Sequence, residues 1–344
     1  MERVVYTKAG GLETIGLEPV KETEPKPEMV RVRVHRAGIN FADLMMRQGL
    51  YGAAPDFPFT PGYEASGEIS AIGEGVEGLE IGQRVLAMTG FGGYSQSVEI
   101  EAGRAIPLPD SMSFDAAAGL GVTYGTAYHM LVYLGNLQAG DSVLIHHAAG
   151  GVGTAAAQIC LAYGATNLIG TASSTKKEFV ESLGMRFVDK DSEDFVEVCK
   201  KMTGGKGVNQ AIDPVGGSHL LRSYKALCSG GKLHCFGASS AISGSKRSMF
   251  SALKMWRSTP KFDPLKMMNS NKAVFGVHMG RLGDESIFAS HLQALSAMLE
   301  KGQIEPIIDS VWPYRKVADA QQHMHDRKNR GKIRLDFSGM GITI

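Results

Sequence analysis

Cysteine is scarce in this sequence: 344 residues hold four thiols, Cys160, Cys199, Cys228 and Cys235. They are widely scattered and include no C-x-x-C pair, which excludes a disulfide framework and reads as reduced core thiols of a cytoplasmic protein. Net charge is nearly absent too. Lys and Arg number 36 against 35 Asp and Glu, a formal charge of +1, so the chain as a whole lacks nucleic-acid character. No apolar run reaches the roughly 20 residues of a membrane span. The opening MERVVYTKAGG does not have the pattern of a signal peptide. Internal repeats and low-complexity segments are missing. What is present is a hydrophobic fraction of 43%, ordinary for a globular protein, and 43 glycines, which imply many turns. The length exceeds one ordinary domain, and two are expected.

The most informative stretch is 143–157, VLIHHAAGGVGTAAA. An apolar run, a glycine turn and a small-residue helix form the first strand–turn–helix of a dinucleotide-binding fold. In the G-x-G-x-x-G frame the first position is Ala148 and the others are Gly150 and Gly153, a degenerate match. Its context strengthens it. TNLIGTA, MRFVD, VNQAID and GKLHCFGA follow at short spacing with helix-like segments between them, the pattern of a parallel sheet with right-handed crossovers. Gly150, Gly151 and Val152 are therefore expected at a pyrophosphate, on a helix N-terminus. Gly237, Ala238 and Ser239, after the strand GKLHCF, and Phe275, Gly276 and Val277, ending AVFGV, are expected beside the cofactor at the carboxyl ends of their strands.

The first part of the chain reads as all-β, with VVYT, VRVRVHRAG and ASGEISAIGEGVEGLEIGQRVLAM alternating and rich in β-branched residues. The expected division is a discontinuous β-rich domain over 1–122 and 280–344 and a dinucleotide domain over 123–279. The amphipathic helix carrying Phe288, Leu292, Leu295 and Leu299, and the later IIDSVWPY and KIRLDF, are expected to return to the first domain. The active site is expected in the cleft between domains.

AGINFADLMMRQGLY, FPFTPGYEASGEISAIGEGVEGLEIGQRV, GGYSQSV, HAAGGVG and GKIRLDF together resemble the medium-chain dehydrogenase/reductase superfamily over nearly the whole chain. GTASSTKKE, FGASSAISGSKRSMFSALKMW and PKFDPLKMMNSNKAVFG are similar to its zinc-free quinone oxidoreductase group, in the vesicle amine transport protein branch. The resemblance implies an α/β fold class: a Rossmann-type doubly wound parallel sheet domain plus a GroES-like β-rich catalytic domain, paired as a homodimer. Zinc members carry a Cys within the segment matching GINFAD and a His–Glu after a glycine. Here those positions are Asn40 and Tyr63, so no metal is expected. His323 and His325, two apart on a helix, face different directions, and His146 and His147 end a strand; surface or satisfied core roles are expected for them.

An acid ends the second strand in NAD-specific folds. Here Ala172 stands near that position, followed by Ser173, Ser174, Thr175, Lys176 and Lys177. Hydroxyls and ammonium groups suit a 2′-phosphate, which points to NADPH. The resemblance gives Lys176 the phosphate and Lys190 a second contact. Solvated charges opening a helix are the alternative for Lys176 and Lys177.

The resemblance also places Asn40 and Tyr51 beside nicotinamide and substrate, to polarise a carbonyl and, for Tyr51, to protonate the adjacent carbon. For Tyr51 the alternative is an aromatic of the cleft wall. Thr123 resembles a contact to the nicotinamide amide, with a helix-cap hydroxyl as the alternative. Some relatives carry a second tyrosine just before T-P-G; here it is Phe59. The expected activity is zinc-independent hydride transfer from NADPH to a small electrophile, a quinone or an α,β-unsaturated carbonyl. A second hypothesis comes from 246–266, six basic residues and one acid among Met249, Phe250, Leu253 and Trp256: a cofactor-bound membrane-associated or scaffolding protein with little turnover. The plainer reading of that stretch is a lid whose apolar side is buried against the domain or a dimer mate.

Overall fold

Alternation shapes the opening strands. In the computed structural model, which describes residues 1–242, 244–245 and 248–339, these are β1 (Glu2–Tyr6), β2 (Ile15–Pro19), β3 (Met29–Gly38), β4 (Glu64–Ile72), β5 (Arg84–Met88), β6 (Ser97–Glu101) and β7 (Ala105–Pro107). Along β3, Val30, Val32 and Val34 are buried while the arginines between them face outward, the period of two that one covered face imposes. Val30 and Val32 meet Ile69, Val85, Ala87 and Ile100 in one apolar cluster.

The next strands are β8 (Ser142–His146), β9 (Asn167–Ala172), β10 (Arg186–Asp189), β11 (Val208–Asp213), β12 (Leu227–Cys235) and β13 (Ala273–Gly276). They form one parallel sheet in the order β10-β9-β8-β11-β12-β13, the arrangement of a doubly wound dinucleotide-binding sheet. The order reverses between β8 and β11. Leu144, Ile169, Val188, Ala211 and Leu233, buried together, are its core. The helix Gly151–Ala162 rises from the end of β8. A Cβ on Gly153 would lie 2.5 Å from the His147 carbonyl oxygen and 2.6 Å from that of Ala148, so only glycine lets this helix settle on its turn.

Late in the chain, β14 (Ile308–Pro313) and β15 (Lys332–Asp336) return to the first sheet, giving β14-β15-β3-β4-β5-β7 with β6 also on β3. The chain thus divides into a unit of 1–122, 244–247 and 306–344 and a unit of 123–243 and 248–305. This corrects the expected return at residue 280. The helix Glu285–Glu300 belongs to the second unit because Leu292, Leu295 and Met298 are buried, Phe288 packs where Gly125 leaves room, and His291 bonds His129 at 2.9 Å.

Replacing Gly153 with Ala should cost about 1–3 kcal/mol, because backbone rather than a side chain must yield. At Gly150 the nearest atom would be 3.3 Å away, and alanine there should cost less than half as much. Urea denaturation of the two variants measures the contrast.

Candidate functional site

The second unit gathers its unusual residues along one edge of the parallel sheet. Gly150 caps the helix Gly151–Ala162 in an extended conformation and, as a glycine, makes no side-chain cap hydrogen bond to its first N–H groups. The first N–H groups of this helix therefore offer an anion site, on which Gly150, Gly151 and Val152 lie. At the end of β9, Ala172 is buried and Ser173 follows, its hydroxyl 3.3 Å from that of Thr175. The short turn Ser174–Lys176 ends in a lysine that is only 9% exposed, which is not a solvated charge. On the neighbouring strand Asp189 pairs with Ala172. The Lys190 N–H donates to the Ala172 carbonyl at 3.0 Å, and its ammonium pairs with Asp191 at 2.6 Å. No carboxylate stands at the end of β9.

Farther along the same edge, the Ser239 N–H donates to the Pro214 carbonyl at 2.9 Å, and the Val277 N–H to Cys235 at 2.8 Å. Gly276 pairs with Cys235. A Cβ at Gly237 would meet the Pro214 oxygen at 2.8 Å. Gly237, Ala238, Ser239, Phe275, Gly276 and Val277 thus share the ends of β12 and β13. Thr123 is buried within a π-helical turn, Leu120–Tyr124, and caps no helix.

Beneath this edge lies a buried network that the sequence did not disclose. His146 bonds Thr171 through Nδ1 at 2.9 Å and Ser223 through Nε2 at 3.0 Å. The Ser223 hydroxyl donates to Asp213 Oδ2 at 2.6 Å, and His219 Nδ1 bonds the same oxygen at 2.8 Å. Asp213 Oδ1 accepts the N–H groups of Val215 and Gly216 at 2.7 and 3.2 Å. Burial pushes His146 down to about 3, so it is neutral. Burial alone would raise Asp213, but the hydrogen bonds from His219 and Ser223 hold it below the usual carboxylate range. His146, Asp213 and His219 offer ligand atoms within 4.8 Å of one another. Their facing nitrogens are already bonded, with the Ser223 hydroxyl among them.

The first unit holds the other candidate residues. Asn40 precedes the helix Phe41–Arg47 and its N–H donates to Asp43 Oδ2 at 2.7 Å, where the Tyr94 hydroxyl also donates at 2.7 Å. Burial lifts the Asp43 carboxyl to about 6. The Lys332 ammonium, from β15, donates to Asn40 Oδ1 and to Glu64 Oε1, the latter at 2.6 Å. Lys332 is 4% exposed and Glu64 0%. Glu64 Oε2 accepts the Val122 N–H at 2.7 Å. An ammonium only donates, so the Asn40 amide is oriented with its oxygen to Lys332. Its NH₂ makes only long contacts of 3.4 Å, to Gly38 and Glu64.

Tyr51 hydrogen bonds Tyr63, their rings 6.4 Å apart and near perpendicular. The Tyr63 hydroxyl also stands 3.8 Å from Met46 Sδ. Burial first, then the bond to Tyr51, pushes the Tyr63 phenol well above its ordinary value. Tyr63 was read from the sequence only as a missing metal ligand; it is in fact the partner of Tyr51. A zinc ion does not fit here. An amide and a phenol replace thiolate and imidazole, and a buried ammonium already sits between Asn40 and Glu64, where a second cation would be repelled.

The stretch 246–266 departs from one half of the lid reading, burial against its own domain, and leaves a dimer mate as the cover that reading needs. Lys246 and Arg247 lie outside the described residues. The rest forms the helix Met249–Ser258 and the start of Pro264–Ser270. Phe250 and Trp256 are 78% and 72% exposed, and Met249, Leu253, Leu265 and Met268 are also exposed. The apolar side is therefore not buried against its own domain, because Pro260 and Pro264 keep each helix short and the exposed apolar residues lie on both. Among the described residues, no helix is long and apolar enough to cross a membrane.

Comparison with known proteins adds to this geometry. The alcohol dehydrogenase GroES-like domain matches residues 26–110, and the zinc-binding dehydrogenase domain matches 151–297. The human synaptic vesicle membrane protein VAT-1 homolog is 38% identical over 336 residues, covering 96% of this chain and 85% of the relative. Human quinone oxidoreductase is 30% identical over 340 residues, 97% of each chain. The crystal structure of Escherichia coli quinone oxidoreductase complexed with NADPH is similar with a TM-score of 0.85 and 28% identity, covering 98% of this chain and 100% of the other.

Removing Lys332 as Met would strand Glu64 and should cost about 3–5 kcal/mol. The double variant E64Q/K332M should recover at least half of that loss. Urea denaturation at pH 7 reads both.

Proposed function

Since the chain belongs to the medium-chain dehydrogenase/reductase family, in the group of the quinone oxidoreductases and VAT-1 proteins, we propose that it is an NADPH-dependent oxidoreductase of quinones or α,β-unsaturated carbonyl compounds that uses no metal. One observation carries the cofactor half of this reading: an uncapped helix N-terminus shares a sheet edge with a hydroxyl-rich turn and a nearly buried lysine, and no carboxylate ends β9. The NADPH complex of the Escherichia coli relative supports the same assignment.

When bound, NADPH supplies the hydride. Gly151 and Val152 offer their backbone N–H groups to the pyrophosphate, and Gly150, whose N–H donates to the His147 carbonyl, lets the chain approach it. Ser173, Ser174 and Lys176 take the 2′-phosphate, and Lys190 joins them on leaving Asp191. Thr123, the 237–239 loop and Phe275–Val277 serve the nicotinamide end. The Asn40 amide NH₂ and the Tyr51 hydroxyl donate to the substrate carbonyl oxygen. Tyr51 then protonates the carbon next to that carbonyl. We include a homodimer in this reading, formed through the edge of β13, which pairs only with β12 in the six-stranded sheet.

A second reading has its own observation. The exposed apolar residues of Met249–Ser258 and Pro264–Ser270 stand among exposed Lys254, Arg257, Lys261 and Lys266, a surface suited to anionic lipid.

Lys176→Ala should weaken NADPH binding about ten- to a hundredfold, as expected for a lost charged hydrogen bond of about 1.5–3 kcal/mol, and leave NADH binding almost unchanged. Calorimetric titration with both cofactors decides it; equal losses would reject the 2′-phosphate contact. Flotation with phosphatidylserine vesicles tests the second reading, which requires binding that salt abolishes.

A further inference from the structure

Tyr63 touches the hydroxyl assigned to proton donation and has no place yet in the reaction. Its ring stands across that of Tyr51 with centroids 6.4 Å apart and planes at 66°. The two hydroxyls are hydrogen bonded. The other neighbour of the Tyr63 hydroxyl is the Met46 thioether sulfur at 3.8 Å, a weak acceptor. Each phenol has a single proton, so the pair has two orderings. In one, Tyr51 donates to Tyr63, whose own proton is left for Met46; in the other, Tyr63 donates to Tyr51, the direction in which their bond raises the Tyr63 phenol. Once a carbonyl oxygen gathers negative charge, the stronger acceptor draws the Tyr51 proton, and only the second ordering, with the Tyr63 proton on the Tyr51 oxygen, remains.

We propose that Tyr63 is a positioning residue for proton donation: its hydroxyl donates to Tyr51 as Tyr51 gives up its proton to the reduced substrate. This rests on Tyr51 being the acid of the proposed reaction. In the step, the Tyr51 O–H bond breaks, the enolate electron pair takes the proton to form a C–H bond, and the phenolate left behind is held by the Tyr63 hydroxyl until water reprotonates it. Hydrogen bonds to an anion are the strong ones, and two aligned phenols polarise each other. Tyr63 suits this task because its half-buried phenol resists ionisation. The charged neighbour that acts on Tyr63 is Asp43, which is fully buried and lifted to about 6; it stays ionised throughout the alkaline range and leaves the profile there to the phenols.

The test uses the whole protein with NADPH and cyclohexenone, in single-turnover experiments between pH 6 and 11. Tyr63→Phe keeps the ring and should retain the wild-type Tm within a few degrees. Its hydride-coupled reduction should slow about ten- to a hundredfold with KM for cyclohexenone nearly unchanged. The alkaline limb should move to higher pH, because a hydrogen bond that favours the Tyr51 phenolate has been removed. In a Tyr51→Phe background the same change should add almost nothing. A Tyr63→Phe enzyme with wild-type rate and alkaline limb, alongside an impaired Tyr51→Phe, overturns this inference alone. Full additivity of the two changes also overturns it. A Tyr51→Phe enzyme that reduces cyclohexenone normally removes the underlying assignment instead.

Discussion

One buried ammonium governs the chemistry of the first unit. Lys332 comes from β15, near the end of the described chain, and reaches Glu64 on β4 and Asn40 before the helix Phe41–Arg47. A lone charge at that depth would cost several kcal/mol, and Glu64 offsets it only because the geometry is close and its second oxygen is also satisfied, by the Val122 N–H. Three consequences follow. Distant parts of the chain are tied at one point. The Asn40 amide is turned so that its NH₂ is the donor. The position between Asn40 and Glu64 already carries a positive charge, which would repel a divalent cation there, and in the proposed reaction polarisation of a carbonyl is assigned to hydrogen-bond donors.

Much of the second unit was legible because it rests on local pattern. Strands β8 to β11 and the second half of β12 fall on the strand-like segments that alternate with helix-like ones, and the glycine turn of 150–153 announces its helix. The hydroxyl and lysine run after β9 was legible for the same reason. What escaped is non-local. Glu64 and Lys332 are 268 positions apart, and either alone reads as an ordinary surface charge. Amphipathic spacing in Glu285–Glu300 reveals a buried face but not which unit buries it; His129 and Gly125 decide that. Tyr63 was visible only as a departure from a metal site. The available signal was a bulky phenol directly before a buried acid, with Tyr51 a short loop away.

The edge of the parallel sheet shows how an apolar core carries polar cargo. Neutral His146 bridges Thr171 and Ser223, and Asp213 collects four donors, two from side chains and two from the backbone of Val215 and Gly216. Satisfied in this way, a buried carboxylate holds a loop rather than destabilising it. The loop it holds supplies Pro214, against which Gly237 and Ser239 lie. The residues proposed to meet the nicotinamide end are thus supported by a second layer of hydrogen bonds, which is what precise placement of a reactive group requires.

The donor set also argues for the substrate class. Delivering a hydride to a simple ketone leaves an alkoxide, a strong base with its charge on one oxygen, and hydrogen bonds from an amide and a phenol stabilise it poorly without a Lewis acid. Delivery to a conjugated carbonyl leaves an enolate whose charge is spread over oxygen and carbon. Such an anion is within reach of neutral donors, and it needs a proton at carbon to finish the reaction. Tyr63 and its neighbour Phe91, with ring centroids 5.4 Å apart, and Phe59, 6.2 Å from Phe91, form an aromatic wall behind Tyr51. That wall lowers the local polarity and helps keep the Tyr63 phenol protonated. A phenol pair in aromatic surroundings and an amide of fixed orientation suit the reduction of a flat conjugated carbonyl better than the oxidation of an alcohol.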